Sequence, residues 1–255
     1  MESRTKLASK LAEEVGAYVA EQFRADIGSD KKEDGTDVTD ADKEAEHRIR
    51  AAIRVYFPDD AIVGEEHENE EGESGITWYI DPIDGTTNFV NGIPIFAVSI
   101  AYADDTGLLG AAISMPMMKT LYLAERGKGA SMNGRPISVS TLWDAERPVI
   151  TFSVADRDDE RIAALFAHRP RPRARIFGSA VATLAFFAEG GASGTFLIDM
   201  HPWDYAAGLL IAQEAGAFME PLDMKAPHPP RKASFILAAE ENIDAFRTFI
   251  DQLTN

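Results

Sequence analysis

The sequence predicts a layered α/β protein, of the α+β type, that is built from two tightly packed halves. The chain has 255 residues, of which 45% are apolar and 26% charged, and this composition suits a folded protein with a large core. Residues 1–145 begin with two helical segments and continue as a β-rich stretch, whereas strands and helices alternate in residues 146–255. This change of pattern places the boundary between the predicted halves near residue 145.

Two amphipathic helices are predicted at the start of the chain. The first covers residues 4–25, where apolar side chains recur at helical spacing: Leu7, Leu11, Val15 and Tyr18. The second covers residues 40–56, and its predicted inward face consists of Ala45, Ile49, Ala52 and Ile53. Thr39 and Asp42 are spaced as in a capping box, which marks the start of this second helix.

The rest of the first half is predicted to be mainly β-structure. A short strand over residues 61–63 precedes an apolar run from Ile76 to Ile80, which we interpret as a buried strand. The further β-rich segments are predicted at residues 93–103, 107–115, 119–124 and 137–140.

The second half is predicted to alternate between strands and helices. The predicted strands cover residues 149–154, 174–177, 194–198, 217–219 and 234–239. The predicted helices cover residues 159–168, 179–189, 203–215 and 241–253. Proline-rich stretches at residues 169–173 and 226–231 are predicted to be surface loops.

Composition excludes several classes of function. There is no cysteine, so thiolate catalysis and cysteine-ligated metal centres are excluded. The net charge of −17 argues against a nucleic-acid partner, which needs a basic patch, and would repel an anionic substrate unless bound cations reverse the local charge. No signal-peptide core and no apolar run long enough for a membrane span are found, so a cytoplasmic protein without membrane contact is expected.

The most informative segment lies where the run Ile76 to Ile80 ends, in the sequence Asp-Pro-Ile-Asp-Gly-Thr of residues 81–86. Pro82 and Gly85 favour a tight turn, which can aim Asp81 and Asp84 at one ligand. Two carboxylates at this distance repel each other unless a hard cation such as Mg²⁺ lies between them. The segment therefore predicts a metal site, although it is also compatible with a polar turn that has no other role.

Three further acidic residues occur where a strand or loop meets a helix. Glu65 follows the strand at 61–63, Asp204 lies in the first turn of the helix at 203–215, and Asp42 lies in the first turn of the helix at 40–56. Each has a simpler explanation, because Asp204 and Asp42 favour helix N-termini through the helix dipole, and Glu65 can be a surface charge.

Together these segments resemble the inositol monophosphatase family of magnesium-dependent, lithium-sensitive phosphatases. The resemblance rests on Gly64-Glu65-Glu66, on the stretch from Trp78 to Phe89, and on Trp203-Asp204 with Ala206-Ala207-Gly208. The order and separation of these blocks agree with the family, and the resemblance extends from about Leu7 to Phe249. It implies an αβαβα sandwich with the active site between the two halves, and a homodimer.

The resemblance also implies the roles of individual residues. Glu65, Asp81 and the carbonyl of Ile83 would hold one Mg²⁺, and Asp81, Asp84 and Asp204 would hold a second. A third, weaker ion would use Glu65 and water. Thr86 and Asp42 would orient and deprotonate the attacking water, and Lys32 is similar to a basic residue that the family places near the site.

For the substrate, the resemblance implies a small polyol phosphate, most simply inositol 1-phosphate. Its contacts are expected from Gly85, Thr86, and the segment Gly178, Ser179 and Ala180. The family's inositol-binding glutamate is replaced by Leu197, and Asp199 is a candidate substitute. Alternatives are the same chemistry on histidinol phosphate, fructose 1,6-bisphosphate or a 3′-phosphonucleotide, and, from another class, a regulatory interaction protein that retains its phosphatase site.

Overall fold

The computed structural model describes residues 3–24, 29–31, 37–154, 167, 172–222 and 232–254. Lys32, most of the helix predicted at 159–168, and the proline-rich stretch at 226–231 lie outside the described residues. Within the described part, no helix is both long and apolar enough to cross a membrane.

Two helices form the first layer. Helix α1 spans Arg4–Gln22 and helix α2 spans Asp40–Tyr56, which confirms both predicted helices. A short antiparallel pair, β1 (Ser29–Lys31) and β2 (Asp37–Thr39), precedes α2. The apolar faces of α1 and α2 pack on one face of a large sheet, and the core between them includes Leu11, Ile49, Trp78 and Ile100.

The large sheet has seven strands in sequential order. They are β3 (Ala61–Gly64), β4 (Thr77–Asp84), β5 (Ala97–Asp104), β6 (Gly107–Met115), β7 (Thr120–Glu125), β8 (Ala130–Met132) and β9 (Arg135–Pro136). Only β3 and β4 run parallel, and all other neighbours in this sheet are antiparallel. A five-residue helix, α3 (Thr86–Val90), follows β4 directly.

The strand predicted at residues 137–140 is wrong. This segment is extended but does not belong to a sheet, because its amides find separate partners: Ile137 donates to the carbonyl of Ala130, and Val139 donates to that of Ala215. Val139 of this segment is buried in the core that the two halves share.

The second half contains a five-stranded sheet. Its strands are β10 (Val149–Val154), β11 (Arg173–Arg175), β12 (Gly194–Met200), β13 (Ala217–Pro221) and β14 (Ala233–Ala239), in the order β11-β10-β12-β14-β13. Among the described residues of this half, the helices are α4 (Ala180–Ala188), α5 (Pro202–Glu214) and α6 (Ile243–Thr254). Strands β10, β11 and β12 are parallel, so their carboxyl ends meet at one edge of the sheet.

Helices α4 and α5 lie between the two sheets. Their side chains share one core with both sheets, from Tyr79 on β4 to Leu237 on β14, so the halves are joined by a continuous apolar interior. Helix α6 covers the outer face of the five-stranded sheet through Phe246. The order of layers is therefore helix, sheet, helix, sheet, helix, which confirms the predicted fold.

Candidate active site

Four acidic side chains from three parts of the chain line one cavity. The cavity has a volume of about 370 Å³ and lies between the end of β4 and the beginnings of α4 and α5. Its acidic lining residues are Glu65, Asp81, Asp84 and Asp204. The structure thus brings together the acids that the sequence singled out as metal ligands.

A bulge in β4 lets two of these acids face the same space. The sequence predicted that the strand ends before Asp81, but β4 continues to Asp84. In a regular strand, residues three apart point to opposite faces. The pairing with β5 shifts between Asp81, opposite Ser99, and Asp84, opposite Ala97, and this irregularity turns both carboxylates toward the cavity.

The turn after β4 depends on glycine. Gly85 has a φ of 93°, and a Cβ at this position would lie 3.1 Å from the carbonyl oxygen of Ile95 and 3.2 Å from that of Gly178. A side chain would therefore be strained and crowded at once. Gly85 allows the turn to lie directly against the segment that begins α4.

Thr86 and Asp42 form a hydrogen-bonded pair beside the cavity. The Oγ1 atom of Thr86 lies 3.1 Å from Oδ1 of Asp42 and 2.9 Å from the carbonyl oxygen of Ile83. The other oxygen of Asp42 accepts hydrogen bonds from the backbone amide of Thr39, at 2.8 Å, and from its hydroxyl, at 2.5 Å. The capping contact predicted from the sequence therefore holds Asp42 in place, while its second oxygen faces Thr86.

Asp84 connects the two halves of the molecule. Its carboxylate accepts a hydrogen bond from the hydroxyl of Ser179, and others from the amides of Ala180, at 3.1 Å, and Val181, at 3.0 Å. Gly178, Ser179 and Ala180 were predicted to contact substrate. They do line the cavity, and Ser179 and Ala180 also support an acidic residue of the first half.

Asp204, at the start of α5, likewise both accepts a hydrogen bond from the protein and lines the cavity. One of its carboxylate oxygens accepts a hydrogen bond from the amide of His201 at 2.7 Å, as expected for an acid in the first turn of a helix. The residue also lines the cavity. The helix-capping explanation and the predicted site position are thus compatible for Asp204.

Burial and mutual repulsion raise the pKa values of the acids at the centre of the cavity. Asp81 is 1% exposed. Burial, and then the negative charges of its neighbours, hold its pKa well above the ordinary value; those neighbours are Glu65, Asp84, Asp204 and Glu66. Burial also raises the pKa of Asp84, against the opposing effect of its hydrogen bonds from the start of α4. Burial raises the pKa of Asp42 in the same way.

This donor set fits a hard divalent cation in its chemistry. The cavity offers carboxylate oxygens, which Mg²⁺ prefers, and a positive ion would relieve the repulsion around Asp81. In the described part of the chain, however, no three Asp, Glu, His or Cys side chains already stand together as a complete ligand group. Asp84 and Asp204 also accept hydrogen bonds from backbone amides, which leaves their carboxylate oxygens further lone pairs for an ion.

Two residues considered for the substrate lie elsewhere. Asp199 has an exposed side chain and a φ of 55°, at an irregularity of β12 between Leu197 and Met200. Its amide donates to the hydroxyl of Ser234, and Asp199 is not among the residues that line the cavity. Leu197 is fully buried in the core between the sheets, because its side chain faces helices α4 and α5 rather than the cavity.

Several lining residues were not anticipated. They are Phe152, Ser153, Val154, Ile176 and Met200, at the carboxyl ends of β10, β11 and β12. Ligands in α/β proteins commonly bind at the carboxyl ends of parallel strands, so the predicted strand ends were the signal that could have identified this wall.

Comparison with known proteins agrees with the fold. Residues 1–249 match the model of the inositol monophosphatase family. The chain belongs to the inositol monophosphatase family and is one of its phosphatases.

Similar proteins carry several different names. The chain is 35% identical to a histidinol-phosphatase of Chlorobaculum parvum over 83% of each chain. It is 34% identical to the Nus factor SuhB of Vibrio cholerae, over 86% of this chain and 85% of that protein. Among solved structures, an IMPase of Thermotoga maritima superimposes with a TM-score of 0.86 at 32% identity and covers 98% of both chains.

Proposed function

We propose that this protein is a Mg²⁺-dependent phosphomonoesterase that hydrolyses a small polyol phosphate, most simply inositol 1-phosphate. One observation carries the proposal: Glu65, Asp81, Asp84 and Asp204 line the same cavity, next to the hydrogen-bonded pair of Thr86 and Asp42. Magnesium dependence is general in the family, and its members act on small phosphorylated substrates.

The acids would form two main cation sites and a third, weaker one. Glu65, Asp81 and the carbonyl of Ile83 would hold one ion, and Asp81, Asp84 and Asp204 would hold a second, with Asp81 shared; Glu65 would also serve a third, weaker site. Bound Mg²⁺ would lower the pKa of the attacking water and neutralise charge on the phosphate. Since the protein carries a net charge of −17, these ions would also make the cavity attractive to an anionic substrate.

Thr86 and Asp42 would handle the proton of the attacking water. Thr86 can accept a hydrogen bond from water while its own hydroxyl proton points at Asp42, 3.1 Å away. Burial raises the pKa of Asp42, and a higher pKa makes its carboxylate a stronger base. Thr39 keeps the carboxylate oriented, so a proton can pass from water through Thr86 to Asp42 without movement of the backbone.

The start of α4 would lie beside the leaving group. Gly85 and Gly178 bring two backbone segments close together at this point, and Ser179 and Ala180 line the cavity there. Gly178 has a φ of 70°, and a Cβ on it would collide with the side chain of Asn88. The two glycines therefore let the segments pack directly against each other, which would place Ser179 and Ala180 beside the alcohol portion of a phosphate monoester.

A substrate panel tests the proposal. Inositol 1-phosphate, histidinol phosphate, fructose 1,6-bisphosphate and a 3′-phosphonucleotide are compared by kcat/KM with Mg²⁺ and with EDTA. We expect Mg²⁺-dependent hydrolysis with inositol 1-phosphate as the best substrate. Equal hydrolysis in EDTA would contradict the metal requirement, whereas a different best substrate would contradict only the choice of alcohol.

Histidinol phosphate is the second candidate substrate, and the wall of the cavity favours it. Val154, Ile176 and Met200 give that wall an apolar character, and Ile176 is 56% exposed at its edge. An apolar surface contacts a flat ring better than it contacts several hydroxyl groups. The similar histidinol-phosphatase of Chlorobaculum parvum gives this candidate further support.

Lithium sensitivity is part of the proposal. Li⁺ would compete with Mg²⁺ for the position formed by Asp81, Asp84 and Asp204. Turnover is measured over a lithium titration at limiting Mg²⁺, and we expect inhibition that weakens as Mg²⁺ is raised. Unchanged turnover across the titration would exclude this competition.

A regulatory interaction is the alternative from another class, and the similarity to a Nus factor SuhB supports it. The set of acids in the cavity favours retained catalysis. Complementation of a deletion strain with a metal-site variant separates the two roles, because full complementation by an inactive variant would favour the interaction. A homodimer is also proposed, and sedimentation of the purified protein tests it.

A further inference from the structure

An ion pair that does not line the cavity lies beneath the segment that carries Glu65. Glu46 and Arg50 are one turn apart on α2, and their side chains are 0% and 2% exposed. The Nε atom of Arg50 lies 2.6 Å from Oε1 of Glu46. A buried pair of this kind gives little net stability compared with apolar residues of similar size. The role of the pair is therefore better judged from the groups that it hydrogen-bonds than from its contribution to stability.

Both members of the pair bind the loop between β3 and β4. Glu46 accepts hydrogen bonds from the amide of Glu66, at 2.8 Å, and from the amide of His67, at 3.3 Å. Arg50 donates to the carbonyl oxygen of His67, at 3.3 Å, and to the carboxylate of Glu70, at 2.7 Å. The pair thus fixes the backbone immediately after Glu65.

The backbone before Glu65 packs closely against the same carboxylate. A Cβ at Gly64 would lie 2.3 Å from Oε1 of Glu46 and 2.8 Å from an Nη atom of Arg50. The absence of a side chain at Gly64 is what allows the strand end to approach the pair. Further along the loop, reciprocal backbone hydrogen bonds between Ile62 and Glu70 close it at its base.

The same helix also positions Asp42. Asp42 precedes Glu46 by four residues, so both lie on one face of α2 and point toward the large sheet. Asp42 accepts a hydrogen bond from Thr86 beside the cavity, and Glu46 binds the backbone immediately after Glu65 and packs against Gly64 before it. Helix α2 therefore contacts both the hydroxyl of Thr86 and the backbone that carries Glu65.

We propose that Glu46 and Arg50 are positioning residues that hold Glu65 in the geometry required for cation binding. This inference rests on the proposed function, since Glu65 is taken as a ligand of Mg²⁺. Neither residue lines the cavity, so the pair acts through the backbone of residues 64–67. Without it, Glu65 would be carried by a loop whose amides at Glu66 and His67 have lost their buried acceptor.

Two variants of the pair and one control test the proposal. Glu46→Gln keeps the size of the side chain but removes its charge. The double variant Glu46→Leu with Arg50→Met removes both charges together, which avoids an uncompensated buried ion. Asp60→Asn is the matched control, because Asp60 is also a buried acid paired with an arginine and does not line the cavity.

Mg²⁺ binding is measured by calorimetry on the intact protein, and hydrogen exchange is measured at the amides of residues 64–67. We expect the pair variants to bind Mg²⁺ about 10- to 100-fold more weakly, as is typical when residues that support a ligand are changed. Exchange at Glu66 and His67 should become faster. The Asp60→Asn control should lose stability but keep the parent's Mg²⁺ affinity and loop protection.

Two outcomes would overturn the inference, and a third would refute the function on which it rests. Unchanged Mg²⁺ affinity in a folded pair variant would show that the pair is not needed to position Glu65, even if the loop exchanges faster. An equal loss of affinity in the Asp60→Asn control would show that affinity follows general stability. Absence of Mg²⁺ binding by the parent protein would instead refute the proposed function itself, so the two failures are distinguishable.

Discussion

Asp60 and Asp81 are two buried acids whose pKa values are shifted in opposite directions. Asp81 lies in β4, and Asp60 contacts the same strand through Trp78. Asp60 accepts hydrogen bonds from Arg4 at 2.7 and 2.8 Å, from Ser74 at 2.7 Å, and from the indole of Trp78 on β4 at 2.8 Å. Burial alone would raise the pKa of Asp60, but these hydrogen bonds outweigh burial and bring the pKa below its ordinary value.

Asp81 lies three residues beyond Trp78 on β4, among other carboxylates. Burial and these negative neighbours push its pKa upward. The difference separates an acid that is compensated within the protein from one that we propose binds a cation. The charge of Asp60 is compensated by Arg4, whereas the charges around Asp81 would be compensated only if cations bound there, as we propose.

The largest expected effect follows from changing an acid of the cavity. Asp84→Asn removes a carboxylate from the proposed second metal position and keeps the size of the side chain. We expect kcat/KM to fall about 1,000-fold, because stabilisation of the developing charge is lost. Circular dichroism should show an unchanged fold. Turnover like that of the parent at low Mg²⁺ would contradict the two-metal arrangement.

A smaller loss is expected at the proton-handling pair. Thr86→Ala removes the hydroxyl that links the attacking water to Asp42, and general-base assistance is worth at least about 100-fold in rate. We expect kcat to fall by this factor while Mg²⁺ affinity is kept. Thr86→Ser keeps the hydroxyl and serves as the control. If the alanine and serine variants were equally active, the hydroxyl would have no role in proton transfer.

The structural acid should affect stability rather than activity. Asp60→Asn removes the charge that Arg4 binds, and we expect a loss of about 2 kcal/mol in the free energy of unfolding at pH 7. Because the folded-state pKa of Asp60 is lowered, its contribution is present above the unfolded pKa and disappears as the pH falls through the folded value.

Denaturant unfolding of both proteins at several pH values checks this prediction. The difference in stability between the parent and Asp60→Asn should be full at pH 7 and should shrink below about pH 4. A difference that stayed constant down to pH 2 would show that the hydrogen-bonded charge is not its source.

The smallest expected effect has the opposite sign. Asp81→Asn should stabilise the protein in EDTA by about 1 kcal/mol, because a buried charge among like charges is removed. A raised folded-state pKa means that the ionised acid destabilises the metal-free protein at neutral pH, and this penalty disappears as the pH falls. Melting temperatures in EDTA and in Mg²⁺ should therefore rank the parent and the variant in opposite orders.

Local sequence signals determined much of the architecture. Helical periodicity predicted the bounds of α2, the capping-box spacing of Thr39 and Asp42 predicted its start, and the β-prone stretch from Val149 to Val154 predicted β10. The same is true of the acids, because Asp81, Asp84 and Asp204 stand out from apolar surroundings. These features depend on residues that are close in the chain, where side-chain spacing is fixed by the backbone.

Only the tertiary structure decided how distant segments meet. The bulge that turns Asp81 and Asp84 to one side, the bonding of Asp84 to the start of α4, and the outward position of Asp199 depend on pairing partners far away in the sequence. The pair of Glu46 and Arg50 is similar, since a charged i,i+4 pair on a helix usually faces solvent. Burial of a side chain depends on which distant segments pack against it, and the residues next to it in the sequence do not specify those segments.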